Sequence, residues 1–281
     1  PPLSAMRGAG NPQANFAVES MMNEVSAILK IDPLKLRLMN NLGLGDTFYG
    51  QGPTVTVTIR SCGTKELLEK ESKMMNFADR ANMDHTPYPD KPWIRRGLGM
   101  ARGFHTSSCG SEKPNRFIID HSGAFLKMNE DGTAQLINCA TDMGTGVLSA
   151  HAAMVAETLG IDYKDVILHP GDTDSTPFDG PTHASRGLYG SGQAAVAAAK
   201  KVREKLNQWA AQMLSCGIED VEIRHGKVYR YTDPENFITV ADVVMNAHVS
   251  GWGIAAAEAS VRPNACPPHF VVIFVDLEVD T

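Results

Sequence analysis

Residues 134–159 read AQLINCATDMGTGVLSAHAAMVAETL. This stretch decides the fold class, because residues 134–139 have the pattern of a strand and residues 147–159 have that of a helix. Between them lies the glycine-rich turn TDMGTG at residues 141–146. A strand that leads through a short turn into a helix indicates a protein in which sheets and helices pack on one another.

The flanking sequence continues this mixture of elements in both directions. Helices are predicted for residues 12–29, 33–38, 64–78, 193–214 and 239–244, and strands for residues 54–59, 97–105, 124–128, 166–169, 221–223, 228–230 and 270–279. Asn11, Asp32, Thr64 and Thr239 are the expected helix caps. We therefore expect an α+β fold with mixed sheets and packed helices.

Residues 84–93 (DHTPYPDKPW) carry three prolines and no periodicity. Proline fixes the backbone and removes a hydrogen-bond donor, so the segment is typical of a linker. The sequence therefore predicts two parts, residues 1–85 and residues 92–281. The strand pattern near Thr281 also leaves no room to finish the second part, so we expect a piece of a longer protein or one subunit of a split one.

Composition excludes several classes of protein. The 281 residues carry a formal net charge of −6, which argues against nucleic-acid or anionic-membrane binding. No apolar run approaches the roughly 20 residues of a membrane span, and no signal peptide precedes the first helix. Five scattered cysteines form no CxxC pair, which predicts free thiols in a cytoplasmic protein rather than a zinc or iron–sulfur site.

Three glycine-rich turns are the candidate binding elements. AMRGAG at residues 5–10 precedes the first helix, TDMGTG follows a strand, and a loop of small and hydroxyl residues runs from 171 to 192. Glycine lets backbone N–H groups approach an anion closely, and a helix N-terminus adds partial positive charge. Local chemistry leaves each of the first two turns open to two interpretations, a structural turn or an anion site. The small and hydroxyl residues of the third segment suit a backbone that lies flat against a large polar ligand.

Other chemistry is poorly supported by the pattern. Asp172 and Asp174 form either a general acid–base pair or a turn in which each carboxylate bonds its own backbone. Asp142 lacks a second metal ligand at helical or strand spacing. The histidines show no HxxxH or HExxH grouping and the serines no GxSxG elbow, so neither a zinc hydrolase nor a serine hydrolase is predicted.

Taken in order, these segments resemble the molybdenum-binding subunit of the xanthine dehydrogenase/aldehyde oxidase family. The family motifs A-F-R-G-F-G-x-P-Q…E, I-D-P-x-x-x-R-x-x-N-L, T-E-M-G-Q-G and G-D-T-D-x-T-P…A-S-R are similar to residues 5–19, 31–42, 141–146 and 171–186. The similarity runs over nearly the whole chain. It implies that residues 1–85 are the C-terminal part of a first molybdopterin-binding domain and residues 92–281 an incomplete second one.

The resemblance also implies a cofactor and partners. These are molybdenum–molybdopterin, in bacteria often as the cytosine dinucleotide, with iron–sulfur clusters and FAD on partner domains or subunits. The family hydroxylates a heterocycle, aldehyde or aromatic carbon with water. By carry-over, the cofactor-binding residues are Met6, Arg7, Gly8, Gly144, Thr145, Gly146, Ala184, Ser185 and Arg186, and Ala9 lies in the substrate pocket.

This sequence departs from the family pattern at three points. Ala9 stands where the family often has phenylalanine, which puts a flat, purine-like substrate in doubt, and Thr145 stands where it has glutamine. The family's catalytic glutamate lies in a G-x-G-E motif that does not occur here and is expected beyond Thr281. We therefore expect this chain alone neither to hold the cofactor tightly nor to turn over.

Two competing hypotheses remain at this stage. The departures at Ala9 and Thr145, with the missing glutamate, would suit a non-catalytic assembly or binding module that kept the fold. A plain nucleotide-binding enzyme would need the P-loop lysine or a GxGxxG turn, and the sequence has neither.

Overall fold

A computed structural model of the chain describes residues 8, 10–49, 56–110, 120–169 and 171–281. The chain divides into two compact units: Pro1–Ser107 together with Cys266–Thr281, and Ser108–Ala265. Both units contain helices and sheets, so the predicted α+β class is confirmed. Among the described residues, no helix combines the length and the apolar character needed to cross a membrane.

In its described residues, the first unit combines three α-helices and a 3₁₀ helix with two two-stranded antiparallel sheets. Its elements are α1 (Asn11–Leu29), α2 (Pro33–Met39), β1 (Thr47–Tyr49), β2 (Thr56–Thr58), α3 (Thr64–Met74), a 3₁₀ helix (Phe77–Asn82), β3 (Ile94–Thr106) and β11 (Pro268–Asp280). Strand β1 pairs with β2, and β3 pairs with β11 along all thirteen residues of each strand. We call the β3–β11 pair the ribbon.

One face of the ribbon supplies the core of this unit. Met100 and Val272 on the ribbon pack with Leu68 of α3 and with Phe77. Phe77 also packs against Phe274 in a T-shaped, edge-to-face arrangement, with 5.1 Å between ring centroids. Alternation along β11 points every second residue away from this core, because successive side chains of a strand face opposite sides.

The second unit is built on a four-stranded sheet. Its strands are β4 (Ser122–Met128), β5 (Ala134–Asn138), β6 (Val166–His169) and β10 (Ala256–Val261), in the order β10-β4-β5-β6. Strands β5 and β6 are parallel and the other pairs are antiparallel. The crossover between β5 and β6 contains α4 (Val147–Leu159), so the turn at residues 141–146 lies at the carboxyl end of β5.

Helices α4 and α5 (Gly192–Leu214) pack on this sheet through alanine-rich faces. Small side chains at Ala194, Ala195, Ala198 and Ala199 are fully buried, which allows the helix to lie close to its neighbours. Strands β7 (Val221–Arg224), β8 (Lys227–Arg230) and β9 (Asp233–Thr239) form a three-stranded antiparallel sheet, and α6 (Val240–Val249) completes the core.

Two of the four predicted caps are confirmed. Asp32 accepts hydrogen bonds from the amides of Leu34 and Lys35, and Thr239 forms a capping box with Asp242. The other two predictions were wrong by one residue. Gly10 caps α1 and Gly63 caps α3, so Asn11 and Thr64 are the first helical residues and no side chain caps either helix.

The helix predicted for residues 64–78 ends early, at Met74. Asn76 adopts a left-handed conformation (φ 47°) and the chain continues as the 3₁₀ helix Phe77–Asn82. The change of direction brings Phe77 into the core, which outweighs the helix propensity of the segment. The predicted strand at residues 54–59 falls partly outside the described residues, and its described part forms β2.

The compact units do not divide at residues 84–93. Instead, the chain passes between units at residues 107–108 and 265–266. The ribbon explains this, because β3 lies after the proline-rich segment and pairs with the C-terminal strand. A boundary between sequence domains near residues 84–93 stays a prediction.

Candidate functional site

The turn at the carboxyl end of β5 is closed by Asp142. Its Oδ1 accepts hydrogen bonds from the amides of Gly144 (2.8 Å), Thr145 (2.9 Å) and Gly146 (3.1 Å). Burial alone would raise the pKa of Asp142, but these backbone donors outweigh it and hold the pKa below its usual value. An ionised carboxylate therefore lies at the N-terminus of α4, where the helix dipole favours a negative charge.

This arrangement changes how the turn can bind a ligand. The amides of residues 144–146 already donate to Asp142, so they are not free to hold a phosphate. Residues 141–146 are all exposed, and a Cβ at Gly144 or Gly146 would have no neighbour within 4 Å. The turn can therefore offer a ligand an open surface and the Thr145 hydroxyl rather than a ring of amides.

A strained corner lies in the segment before α5. Ala184 (φ 46°) and Ser185 (φ 53°) are consecutive non-glycine residues in the left-handed conformation. Ser108 also has a positive φ (74°), and its amide donates to the carbonyl oxygen of Ala184 at 2.7 Å. Left-handed non-glycine residues are costly and cluster at functional sites. We call these three residues the corner.

The turn and the corner segment are in contact. The Thr182 hydroxyl donates to the carbonyl oxygen of Thr141 at 3.2 Å. Gly187 lies against Val147, the first residue of α4, and a Cβ at Gly187 would come within 2.8 Å of the valine Cγ2. The structure thus brings together the second and third glycine-rich segments of the sequence, as a shared site requires.

His151 fixes the start of the segment that follows the corner. The imidazole is fully buried in α4; its Nε2 lies 2.9 Å from the carbonyl oxygen of Gly187, and its Nδ1 lies 3.2 Å from Asn138 Nδ2. Burial lowers the pKa of His151, so the neutral tautomer that donates from Nε2 and accepts at Nδ1 fits both contacts. Gly187–Ser191 forms one turn of π-helix, a conformation that is frequent at functional sites.

Arg186 is buried beneath the corner, with 1% of its side chain exposed. Its guanidinium donates to Asp120 Oδ1 (2.7 Å), Asp179 Oδ1 (2.7 Å), Ser122 Oγ (2.6 Å) and the carbonyl oxygens of Gly180 (2.9 Å) and His121 (3.2 Å). A guanidinium has five N–H donors. All five are directed at protein acceptors, so Arg186 has none left for a cofactor.

Ser185 has the opposite environment. The residue is exposed, and among the described residues its hydroxyl and its amide N–H have no hydrogen-bond partner. The amide of half-buried Ala184 likewise has no partner in the described part of the chain. A rigid corner that presents unpaired donors beside an open glycine turn fits a large polar ligand.

The loop after β6 bonds mainly to itself. Asp172 Oδ1 accepts from the amide of Asp174 (2.9 Å), and the Asp172 carbonyl oxygen accepts from the amide (2.8 Å) and hydroxyl (2.6 Å) of Thr176. These bonds favour the interpretation of Asp172 as a turn residue over that of a general acid or base.

The first glycine-rich segment is only partly described. Met6, Arg7 and Ala9 lie outside the described residues. Gly8 has a left-handed backbone (φ 98°), its carbonyl oxygen accepts from the amide of Asn11, and a Cβ there would lie 3.0 Å from the Pro12 ring. The conformation therefore requires glycine at this position.

Sequence reasoning missed three polar residues of the site. Ser108, Asp120 and Asp179 carry no local motif. Asp120 reaches Arg186 only because the fold joins segments 66 residues apart, Ser108 bonds to Asp120, and Asp179 lies seven residues before Arg186. Among the described residues, no group of three or more histidine, cysteine or acidic side chains could hold a metal ion.

Comparison with protein families decides the assignment. A family described as "molybdopterin cofactor-binding domain" matches residues 70–281, and a second family model with the same description matches residues 1–41. The chain belongs to the molybdopterin cofactor-binding domains. The turn and the corner both lie within the longer match.

Relatives of this molybdopterin-binding domain include subunits of molybdenum enzymes. The putative xanthine dehydrogenase molybdenum-binding subunit of Escherichia coli K12 is 35% identical over 100% of this chain and 36% of its own length. The nicotine 6-hydroxylase large subunit of Paenarthrobacter nicotinovorans is 24% identical over 93% of this chain and 31% of its own length. The chain thus spans about a third of the curated relatives it matches.

Solved structures share the fold of the domain. Quinoline 2-oxidoreductase from Pseudomonas putida 86 superposes with a TM-score of 0.82 and 23% identity, over 99% of this chain and 36% of that one. The Cu,Mo-CO dehydrogenase gives a TM-score of 0.77 and 20% identity, over 95% of this chain and 35% of that one. These matches confirm the molybdopterin-binding fold expected from the sequence.

Proposed function

We propose that the chain contributes one wall of the cofactor site of a molybdenum hydroxylase, which oxidises a heterocycle, an aldehyde or an aromatic carbon with water. The observation that carries the proposal is the hydrogen bond between Thr182, two residues before the corner, and Thr141 of the exposed glycine turn, inside a molybdopterin-binding domain. When bound, the cofactor supplies a two-electron oxidation in which water is the source of oxygen. The residues of this chain bind and orient it.

Ser185 and Ala184 offer the cofactor their unpaired backbone N–H groups, and Ser185 adds its hydroxyl. Thr145 and the glycines beside it provide an open surface on which a flat ring can lie. Arg186 supports this wall from behind rather than touching the cofactor. Met6, Arg7 and Gly8 complete the proposed cofactor set, and Ala9 is the proposed substrate-pocket residue.

The finer form of the cofactor and the partners follow the family resemblance. We propose the cytosine dinucleotide form of molybdopterin, with electrons leaving through iron–sulfur and FAD partners. The catalytic glutamate of the family is proposed to come from polypeptide outside these 281 residues.

Asp142 favours a second candidate, a non-catalytic module that kept the fold. Its carboxylate takes the amides that could otherwise bind a phosphate, and it leaves a negative charge beside the proposed site. The two functions differ in metal content. About one molybdenum per chain in a full-length subunit carrying this sequence would contradict the non-catalytic module, and its absence would contradict the hydroxylase.

Changing Ser185 to alanine is expected to weaken retention of molybdenum and pterin by a full-length subunit that carries this sequence. Loss of one hydrogen bond costs about 1 kcal/mol, or roughly fivefold in affinity. The measurement is molybdenum by mass spectrometry and pterin by fluorescence, after dialysis. Ser149→Ala, at an exposed position of α4, is the matched control. Equal retention by both variants would remove Ser185 from the cofactor site.

The ribbon indicates where the rest of a molybdenum subunit would lie. On its outer face, every second residue of β11 is apolar and between 44% and 54% exposed: Val271, Ile273, Val275, Leu277 and Val279. Their cross-strand partners in β3 include three glycines and one alanine, which leave these side chains uncovered. Outside the region that matches this chain, the Escherichia coli K12 relative contains further polypeptide about twice as long as the chain itself. We propose that this polypeptide covers the outer face with apolar side chains.

Replacing Ile273 and Leu277 together by lysine is expected to reduce binding of a hydrophobic dye to the 281-residue chain roughly twofold, because contiguous exposed apolar surface binds such dyes. In a full-length subunit the same change should prevent stable assembly. Ile28→Lys with Met74→Lys, at residues 78% and 82% exposed in the same unit, is the control. Normal assembly of the ribbon variant would contradict a covered face.

A further inference from the structure

The corner is held in place by a buried charge cluster. Arg186 lies between Asp120 and Asp179, and the side chains of all three are at most 3% exposed. Arg186 follows Ala184 and Ser185 directly in sequence. A cluster of this kind can set a conformation without touching a ligand.

Asp120 connects the cluster to the third residue of the corner. Its Oδ1 accepts from Arg186, while its Oδ2 accepts from the amide of Cys109 at 2.7 Å and from the Ser108 hydroxyl. Burial would raise the pKa of Asp120, but the hydrogen bonds from Ser108 and Arg186 outweigh it and keep the carboxyl ionised. The same carboxylate thus links Arg186 to Ser108, whose amide donates to Ala184.

The cluster is not arranged for stability alone. Asp179 Oδ2 is buried and has no hydrogen-bond partner among the described residues. One arginine also faces two buried carboxyl groups. Unsatisfied buried groups and left-handed residues each cost free energy, and proteins retain such costs mainly at functional sites. Here both costs lie within a few residues of Ser185.

We propose that Arg186, held by Asp120 and Asp179, is a positioning residue that keeps Ser108, Ala184 and Ser185 in their left-handed conformations and so directs Ser185 toward the ligand. This proposal rests on the proposed function in one respect, namely that the ligand is the molybdopterin cofactor. The conformational part can be tested on the 281-residue chain without any cofactor.

Cys109 and Ser108 report the conformation of the corner. The Cys109 thiol is buried, 3.5 Å from His183 Nδ1, and the Ser108 amide is protected by its bond to Ala184. The variant Arg186→Lys keeps the positive charge but loses the planar set of guanidinium N–H donors. Relative to the unchanged chain, we expect Cys109 alkylation and Ser108 amide exchange to accelerate at least about tenfold in this variant. Amide exchange of buried Leu136 in β5 should stay unchanged.

Arg203→Lys is the matched control, because Arg203 also binds backbone carbonyls (those of Leu159 and Ile223) but does not touch the corner. If Arg186→Lys fails to fold, Asp179→Asn is the milder variant. The side-chain amide oxygen can still accept the hydrogen bond from Arg186, while an NH₂ group replaces Oδ2, the atom that has no partner among the described residues. In that variant the expected acceleration is limited to Ser108 and Cys109.

The outcomes separate the two proposals. Two results for Arg186→Lys would overturn the positioning role: amide exchange that accelerates throughout the second unit, or Ser108 amide exchange that does not accelerate. Local opening, together with lower molybdenum content in a full-length subunit carrying Arg186→Lys, would support both proposals. Local opening with unchanged molybdenum content would support the positioning role and contradict the cofactor site at Ser185.

Discussion

Replacing Gly160 by alanine is expected to destabilise the second unit by about 3–5 kcal/mol, from left-handed strain combined with overpacking. Gly160 ends α4 with φ 76°, and a Cβ there would lie 2.1 Å from the carbonyl oxygen of Ile223 and 2.7 Å from Arg203 Nη1. The first of these contacts is with the backbone of strand β7, which cannot move without disturbing its sheet. Alanine therefore requires either a shift of β7 or a new end to α4.

Gly226→Ala isolates the steric part of this effect. Gly226 has nearly the same backbone conformation (φ 73°), its amide donates to the Gly160 carbonyl, and a Cβ there would meet nothing within 4 Å. Its expected cost is only that of left-handed alanine, about 1–2 kcal/mol. Hydrogen exchange across a urea series, measured peptide by peptide, gives the unfolding free energy of each unit. Equal losses for the two variants would show that crowding at Gly160 is not the cause.

The elements that the sequence predicted well are those specified locally. The turn at residues 141–146 lies between β5 and α4 because strand alternation, glycine and helical spacing follow one another in a single stretch. The hairpin around His225 and Gly226 likewise carries its own turn signal. Helix caps were less predictable, since glycine at the N-cap of α1 and α3 leaves no side chain to recognise.

The polar interior of the site could not be predicted, because its contacts are distant in sequence. Arg186 and Asp120 are separated by 66 residues, and neither has a local pattern that names the other. The same holds for His151 and Gly187, which are 36 residues apart. The resemblance placed Ser185 and Arg186 together on one wall of the site, whereas the structure gives them different environments: Ser185 is exposed and Arg186 is buried.

Burial likewise indicates a structural role for two family-motif residues in the first unit. Glu19 and Arg37, which belong to two separate motifs of the sequence, form a buried ion pair with 2.7 Å between Arg37 Nε and Glu19 Oε2. The Arg37 side chain is fully buried, and it also donates to the carbonyl oxygens of Pro33 and Glu19. These motif positions join α1 to α2, so their role is to hold the helix that follows the first glycine-rich turn.

Replacing Arg37 by methionine is therefore expected to destabilise the first unit by about 3–5 kcal/mol, because it removes the main buried partner of the Glu19 carboxylate and leaves it only Arg102, whose Nε lies 3.8 Å from Glu19 Oε1. The double variant Arg37→Met with Glu19→Leu should lose less than the single variant, since it also removes the carboxylate that has lost this partner. Asn23→Ala, which removes one exposed acceptor of Arg37, should cost about 1 kcal/mol or less. Peptide-resolved hydrogen exchange in urea gives each value. A double variant less stable than Arg37→Met would mean that Glu19 stabilises the unit mainly through Arg102, whose amide (2.9 Å) and guanidinium Nε (3.8 Å) both contact its carboxylate, rather than through Arg37.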